Sequence, residues 1–205
     1  MTLEGGEGAG KSTHAELLVE ALRQAGQAAL RTREPGGAPG AEEIRQLLVQ
    51  GPPKRWDAES EALLMVAARR NHLVETVWPA LDRGDWVICD RFVDSTLAYQ
   101  GYGRGLPREA LAYLHSLIAG NFKPDLTLIL DLPVEIGLSR AAKRADGATR
   151  FEQMGRDFHE RLRQGFQEIA QAEPQRCVLI DATAAIAAVQ QTIRAAARAR
   201  LGVAV

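Results

Sequence analysis

The chain has 205 residues, 46% of them hydrophobic, and a formal net charge of −1. That length suits a single domain, 1–205, with a core of its own, and the charge balance makes no electrostatic case for a nucleic-acid or membrane partner. The start carries no basic n-region with an apolar h-region, no apolar run reaches about eighteen residues, and Cys89 and Cys177 lie far apart in apolar stretches, as buried thiols do in a reducing compartment; a soluble, cytoplasmic protein is expected.

Met1-Thr2-Leu3-Glu4 is all that precedes a glycine-rich run. Loops of that kind follow a buried strand of about five or six residues, so either the first strand is short or native residues come before it. Gly5-Gly6-Glu7-Gly8-Ala9-Gly10-Lys11-Ser12 fits G-x-x-x-x-G-K-[ST]. Glycines let such a backbone bend tightly and aim several N–H groups at one anion. The helix expected over 12–24 adds its positive N-terminal end. Lys11 would reach the β- and γ-phosphates of a nucleoside triphosphate, and the Ser12 hydroxyl would ligate Mg²⁺.

A short strand follows at 28–32, then a loop at 33–37, where Pro35, Gly36 and Gly37 suit no regular element. Helices are expected at 41–49 and 58–70, with a further helical run to 83 that Pro79 would kink. The apolar run 86–89 reads as a strand covered on both faces, delivering Asp90 and Arg91 at its carboxyl end. Residues 101–105 read as a glycine loop, and Pro107 as the first residue of a helix reaching 119. A buried strand at 126–132 precedes a helix opened by Pro133 that runs into Arg140, Lys143 and Arg144, and Asp146-Gly147 breaks it. A helix at 155–172, a strand at 177–180 and a helix at 185–201 complete the chain. His14, His72, His115 and His159 have no metal-ligand spacing and read as surface or helix-flank residues.

Alternating strands and helices imply an α/β fold: a five-stranded parallel sheet with helices on both faces. Ligands bind such sheets at the carboxyl ends of the strands, where the glycine loop, Arg33-Glu34 and Asp90-Arg91 fall together. The guanine-reading Asn-Lys-x-Asp of GTPases is missing, because Asn71 precedes His72 and Asn121 precedes Phe122. A small kinase needs arginines to grip an acceptor phosphate and a cover to exclude water. Arg69 and Arg91 are the acceptor-phosphate candidates. The basic stretch from Arg140 to Arg150, part of a lid segment 140–154, is the candidate cover. Asp90 could hold Mg²⁺ through water. A different deoxynucleotide or nucleoside kinase, or a non-catalytic P-loop module that only binds ATP, would share much of this pattern.

Several motifs together are more specific than the P-loop. Gly5 to Thr13, Thr32-Arg33-Glu34-Pro35-Gly36-Gly37, Ala67-Ala68-Arg69, Asp90-Arg91-Phe92, Ser95-Thr96-x-Ala98-Tyr99-Gln100-Gly101, Arg150-Phe151-Glu152 and Ile180-Asp181-Ala182-Thr183 resemble bacterial thymidylate kinases. The resemblance implies a P-loop kinase fold, transfer of the γ-phosphoryl group of ATP to dTMP with Mg²⁺, and a homodimer. It implies that Gly5, Gly6, Glu7, Gly8, Ala9, Gly10, Lys11, Ser12 and Thr13 surround the ATP phosphates. Glu7 would also bind the sugar 3′-hydroxyl. Glu34, Pro35 and Ser95 would border the acceptor nucleotide, and Arg69 and Arg91 its phosphate and thymine O4 side. Thr96 and Gln100 would bond the base, and Tyr99 would crowd the sugar 2′ position. Arg144 and Arg150 would reach the phosphoryl group in flight, while Arg140, Asp181 and Thr183 would lie near adenine. Met65 stands where the family usually stacks a phenylalanine on thymine. Gly8 replaces the arginine of one subtype, so the resemblance is to the subtype whose catalytic arginine comes from the lid.

Overall fold

The structure, a computed structural model, describes residues 1–143 and 149–205. Five parallel strands, β1 (Thr2–Glu4), β2 (Ala29–Arg33), β3 (Trp86–Asp90), β4 (Thr127–Asp131) and β5 (Cys177–Asp181), pair in the order β2-β3-β1-β4-β5. The short β1 is central, with Leu3 in register with Asp90 on one side and Leu128 on the other.

Alternation along the strands separates the two faces of the sheet. Leu3, Ile88, Leu128 and Leu130 pack with α1 (Lys11–Gln24) and α9 (Ile186–Leu201). Ile129 and Cys177 face α8 (Arg156–Ala172) on the other side, and Val87 meets the apolar residues that follow α3 (Ala58–His72). Helices therefore cover both faces. The other helices are α2 (Pro39–Val49), α4 (Trp78–Asp82), α5 (Val93–Thr96), α6 (Arg108–Ala119) and α7 (Val134–Ala142).

Two expectations of local structure change. The run through Pro79 is not one kinked α-helix. A π-helical turn, Leu73–Val77, joins α3 to α4, and the Trp78 N–H bonds Leu73 O. The wider turn brings Pro79 into the opening of α4, where a missing N–H is tolerated. The glycine stretch 101–105 is not all loop either: a π-helix, Leu97–Gly103, continues α5 through Gly101 and Gly103. Gly103 is needed there for space, since a Cβ on it would sit 2.5 Å from the Phe158 ring of α8. Pro107 caps α6 rather than opening it as the first helical residue.

The histidines are not at the surface. His14, His72, His115 and His159 are all buried. Internal partners make this possible for His14 with Gln190, His72 with Thr32 and Glu34, and His115 with Phe122 O.

Candidate active site

A cleft of about 380 Å³ opens at the carboxyl ends of β1, β2 and β3. The glycine loop forms its floor, between β1 and α1. Gly8 has a φ of +67, and a Cβ there would lie 2.0 Å from Gly137 O in α7. Gly137 is constrained in turn, because its own Cβ would lie 2.4 Å from Glu7 O. Loop and helix therefore meet backbone to backbone, which only glycine permits.

Lys11 opens α1 and is buried. Its Nζ donates to Gly6 O at 2.7 Å and Gly5 O at 3.2 Å. Burial, then the nearby Arg91 charge, pushes its pKa down to about 8. The Ser12 hydroxyl donates to Asp90 Oδ2, joining the start of α1 to the end of β3.

Arg91 holds a left-handed backbone with φ 70, a strain on the order of 1–3 kcal/mol for a residue with a side chain. Its neighbours hold it there. Its N–H bonds Leu3 O at 2.9 Å, and Nη1 donates to Gly5 O at 2.9 Å and Ser95 Oγ at 3.2 Å. Nη2 reaches Glu7 at 3.2 Å, and the guanidinium lies 4.9 Å from the Tyr99 ring centre. The Tyr99 hydroxyl donates to Glu7 Oε1 at 2.5 Å, and burial holds the Tyr99 pKa well above its ordinary value. Glu7, Arg91, Ser95 and Tyr99 thus form one connected group beside the glycine loop.

Glu34 follows β2 and precedes a cis bond to Pro35. It accepts from Arg69 Nε at 2.8 Å and pairs with His72 at 3.0 Å. Arg69 Nη2 donates to Thr96 Oγ1 at 2.8 Å, and its guanidinium stacks 5.1 Å from the Phe92 ring centre. Arg69 Nη1 is buried and has no partner among the described residues. Gln100 lies across the cleft wall, its Nε2 donating to Glu61 at 2.8 Å. Its Oε1 is likewise buried and without a partner among the described residues. The two residues that carry this buried donor and this buried acceptor both line the cleft, and each orphaned group costs roughly 1–3 kcal/mol unless something bonds it.

Most of the expected residues converge. Glu7, Gly8, Ala9, Gly10, Lys11, Ser12, Thr13, Glu34, Pro35, Met65, Arg69, Asp90, Arg91, Ser95, Thr96, Tyr99, Gln100 and Arg140 all line the cleft. Gly5 and Gly6 lie behind the loop and supply the carbonyls that Lys11 and Arg91 bond. Arg140 donates to Ala182 O at 3.1 Å, which joins it to the loop of Asp181 and Thr183. Asp181 itself accepts from the Thr183 N–H and hydroxyl in an exposed turn outside the cleft wall. Arg144 lies outside the described residues.

Arg150 is a correction. Expected to reach the transferring phosphoryl group, it is fully buried instead. Its guanidinium donates to Leu48 O at 2.8 Å and Pro53 O at 3.0 Å and pairs with the Glu61 carboxylate. A guanidinium with three internal acceptors stays where its charge is answered. Nothing in the linear pattern singles out Arg45, which also lines the cleft and donates to Pro35 O at 2.7 Å. Burial and the adjacent Arg33 lower its pKa. Helical periodicity puts it on α2, but only the packing of α2 beside Pro35 brings it to the acceptor side.

Comparison with known proteins bears on the chain as a whole. The chain matches the family model described as thymidylate kinase over residues 3–193. A thymidylate kinase of Caulobacter vibrioides is 54% identical, covering 98% of this chain and 97% of that protein. One from Bradyrhizobium is 51% identical, covering 100% and 92%. The crystal structure of thymidylate kinase from Ehrlichia chaffeensis superposes with a TM-score of 0.76 at 35% identity, covering 96% of each chain.

Proposed function

The chain belongs to the thymidylate kinase family, and from that premise we propose how its cleft carries the transfer of the γ-phosphoryl group of ATP to dTMP, which yields dTDP and ADP. The carrying observation is the orphaned pair in the cleft. Arg69 Nη1 can only donate, and Gln100 Oε1 can only accept. Thymine presents O4, an acceptor, beside N3–H, a donor. Cytosine presents the reverse order, an amino donor beside an acceptor nitrogen. The pair therefore favours a pyrimidine-dione over cytosine and speaks against the rival reading of a cytidylate kinase.

The acceptor nucleotide lies with its base between Arg69 and Gln100, against Met65 and Phe92. Its sugar lies beside Tyr99 and Glu7, whose closeness leaves little room for a 2′-hydroxyl. Its 5′-phosphate lies toward Arg91 and Arg45. The polyphosphate of ATP lies over the amides of Gly8 to Thr13 at the N-terminus of α1, with Lys11 answering its charge. Ser12 and Asp90 would hold a Mg²⁺ ion: a hydroxyl and a carboxylate, already side by side, are the oxygen donors this cation takes. Bound there, it neutralises charge on the phosphate oxygens. An acceptor-phosphate oxygen forms the new bond to the γ-phosphorus as the bond to the β,γ-bridging oxygen breaks, and ADP leaves with that electron pair. Arg91 fixes the acceptor in line and spreads the developing charge. Residues 140–154 act as the lid, with Arg144 offered to the phosphoryl group, Arg140 near the adenine and Arg150 as its anchor.

The enzyme works as a homodimer through α3 and α6. Tyr113 and Leu117, one turn apart on α6, and Leu63 on α3 are large apolar side chains left more than half exposed. Cytoplasmic action fits the buried free thiols Cys89 and Cys177. No helix among the described residues is long and apolar enough to cross a membrane.

A coupled assay of ATP consumption with dTMP, dUMP and dCMP tests the base reading. The expected order is dTMP, then dUMP, with dCMP at least about 10²-fold lower in kcat/KM. Equal use of dCMP would overturn it.

A further inference from the structure

We propose that Glu61, which touches no substrate, is the residue that makes this enzyme select thymine over cytosine, because it fixes which end of the Gln100 amide faces the cleft. The inference rests on the reading that Gln100 meets the base.

The two ends of a glutamine amide are alike in shape, and only their partners decide which way they point. Gln100 is fully buried on the π-helix, and Glu61 is fully buried on α3. Gln100 Nε2 donates to Glu61 Oε1 at 2.8 Å. A carboxylate accepts and cannot donate, so the NH₂ end must turn toward it, and Oε1 is left for the cleft. A turned amide would set oxygen against oxygen inside the protein.

Glu61 cannot turn away to relieve such a clash. Its other oxygen pairs with Arg150, and Arg104 Nε lies 3.8 Å from Oε1. Arg150 is held in turn by Leu48 O and Pro53 O, and its backbone N–H bonds Val49 O at 2.9 Å. The chain of contacts therefore runs from the end of α2 through Arg150 and Glu61 to Gln100 and the base. Glu61 is a positioning residue, and Gln100 is left as an acceptor alone.

Glu61→Gln tests this. A glutamine at 61 can donate to Gln100 Oε1, so Gln100 becomes free to present its NH₂ end to the acceptor nitrogen of cytosine. The kcat/KM ratio of dTMP over dCMP is expected to fall by about tenfold or more. The change should lie in the two KM values, with kcat for dTMP within a few-fold of wild type. A folded Glu61→Gln enzyme with an unchanged ratio overturns the inference. Glu61→Gln leaves Arg150 without its carboxylate, so the double variant Glu61→Gln/Arg150→Met, which removes both buried charges, is measured beside it with the same expectation. Wild-type enzyme gives an independent reading. The side-chain amide protons of Gln100, followed by ¹⁵N NMR, should keep their Glu61-bonded shifts when dTMP is added, and a large shift on binding overturns the inference as well. Gln100→Leu separates the two levels. Lost discrimination in Gln100→Leu but not in Glu61→Gln sinks the role of Glu61 alone, whereas discrimination kept in both sinks the base contact on which it rests.

Discussion

Arg91 bonds the glycine loop, Ser95 and Glu7 from a backbone conformation that few residues with side chains adopt. Arg91→Ala is expected to lower kcat by about 10³-fold or more, with a circular-dichroism spectrum like that of wild type. Arg91→Lys should recover little, since a point charge cannot span the same partners. Glu4 gives a prediction about pH. It accepts from the Phe92 N–H at 2.7 Å and Ser95 Oγ at 2.5 Å, and burial, then the Asp94 charge, raises its pKa to about 8. A carboxyl raised in the folded state contributes stability below its unfolded value of 4.5, and that contribution is lost as pH rises through about 8. Glu4→Gln cannot ionise, so its Tm relative to wild type should climb between pH 5 and pH 8, and a difference that stays flat would falsify the assignment. Lys11, Ser12 and Arg91 were legible in the sequence because fixed spacing ties each to the glycine loop or a strand end, Arg69 because it is a charge in an apolar helical stretch, and Gln100 only through the family resemblance. Arg45 and Glu61 were not, and Arg150 was misread, because their roles depend on partners far along the chain. Arg150 meets Glu61 across 89 positions of sequence, and no periodicity reports such a pairing.

At the scale of elements, α7 and the glycine loop behave as one unit through Gly8 and Gly137. Gly137→Ala would strengthen an isolated helix by roughly 1 kcal/mol. Here the sign reverses, because the new Cβ would lie 2.4 Å from Glu7 O. The variant is expected to melt several degrees lower and to raise KM for ATP more than KM for dTMP, measured by thermal denaturation and steady-state kinetics. Four strands and their helical crossovers could be located in the chain by apolar runs and glycine or proline stops, and β1 by the glycine loop that follows it. The π-helices could not. Leu97–Gly103 mixes Leu97, Ala98 and Gln100, which suit a helix, with Gly101 and Gly103, which suit a loop, and the close approach of Phe158 to Gly103 is a contact no periodicity reports. The exposed turn of Asp181 and Thr183 shows the limit on the other side, where a motif was found and its place relative to the cleft was not.

For the whole molecule, the exposed faces of α3 and α6 carry the expectation of a dimer. Leu117→Glu with Tyr113→Glu should give a species near 22.3 kDa by sedimentation, where wild type is expected at twice that mass, and identical masses would remove α6 from the interface. The division of the interior has a wider consequence. The phosphate cradle rests on the core that includes Leu3, Ala9, Leu18 and Leu130, whereas Tyr99, with Met65 and Phe151 around it, belongs to a separate cluster packed on α8. An engineer could therefore rebuild Met65 and its neighbours in that cluster for an unnatural nucleobase analogue, provided that Tyr99 keeps its bond to Glu7, the tie from that cluster to the glycine loop.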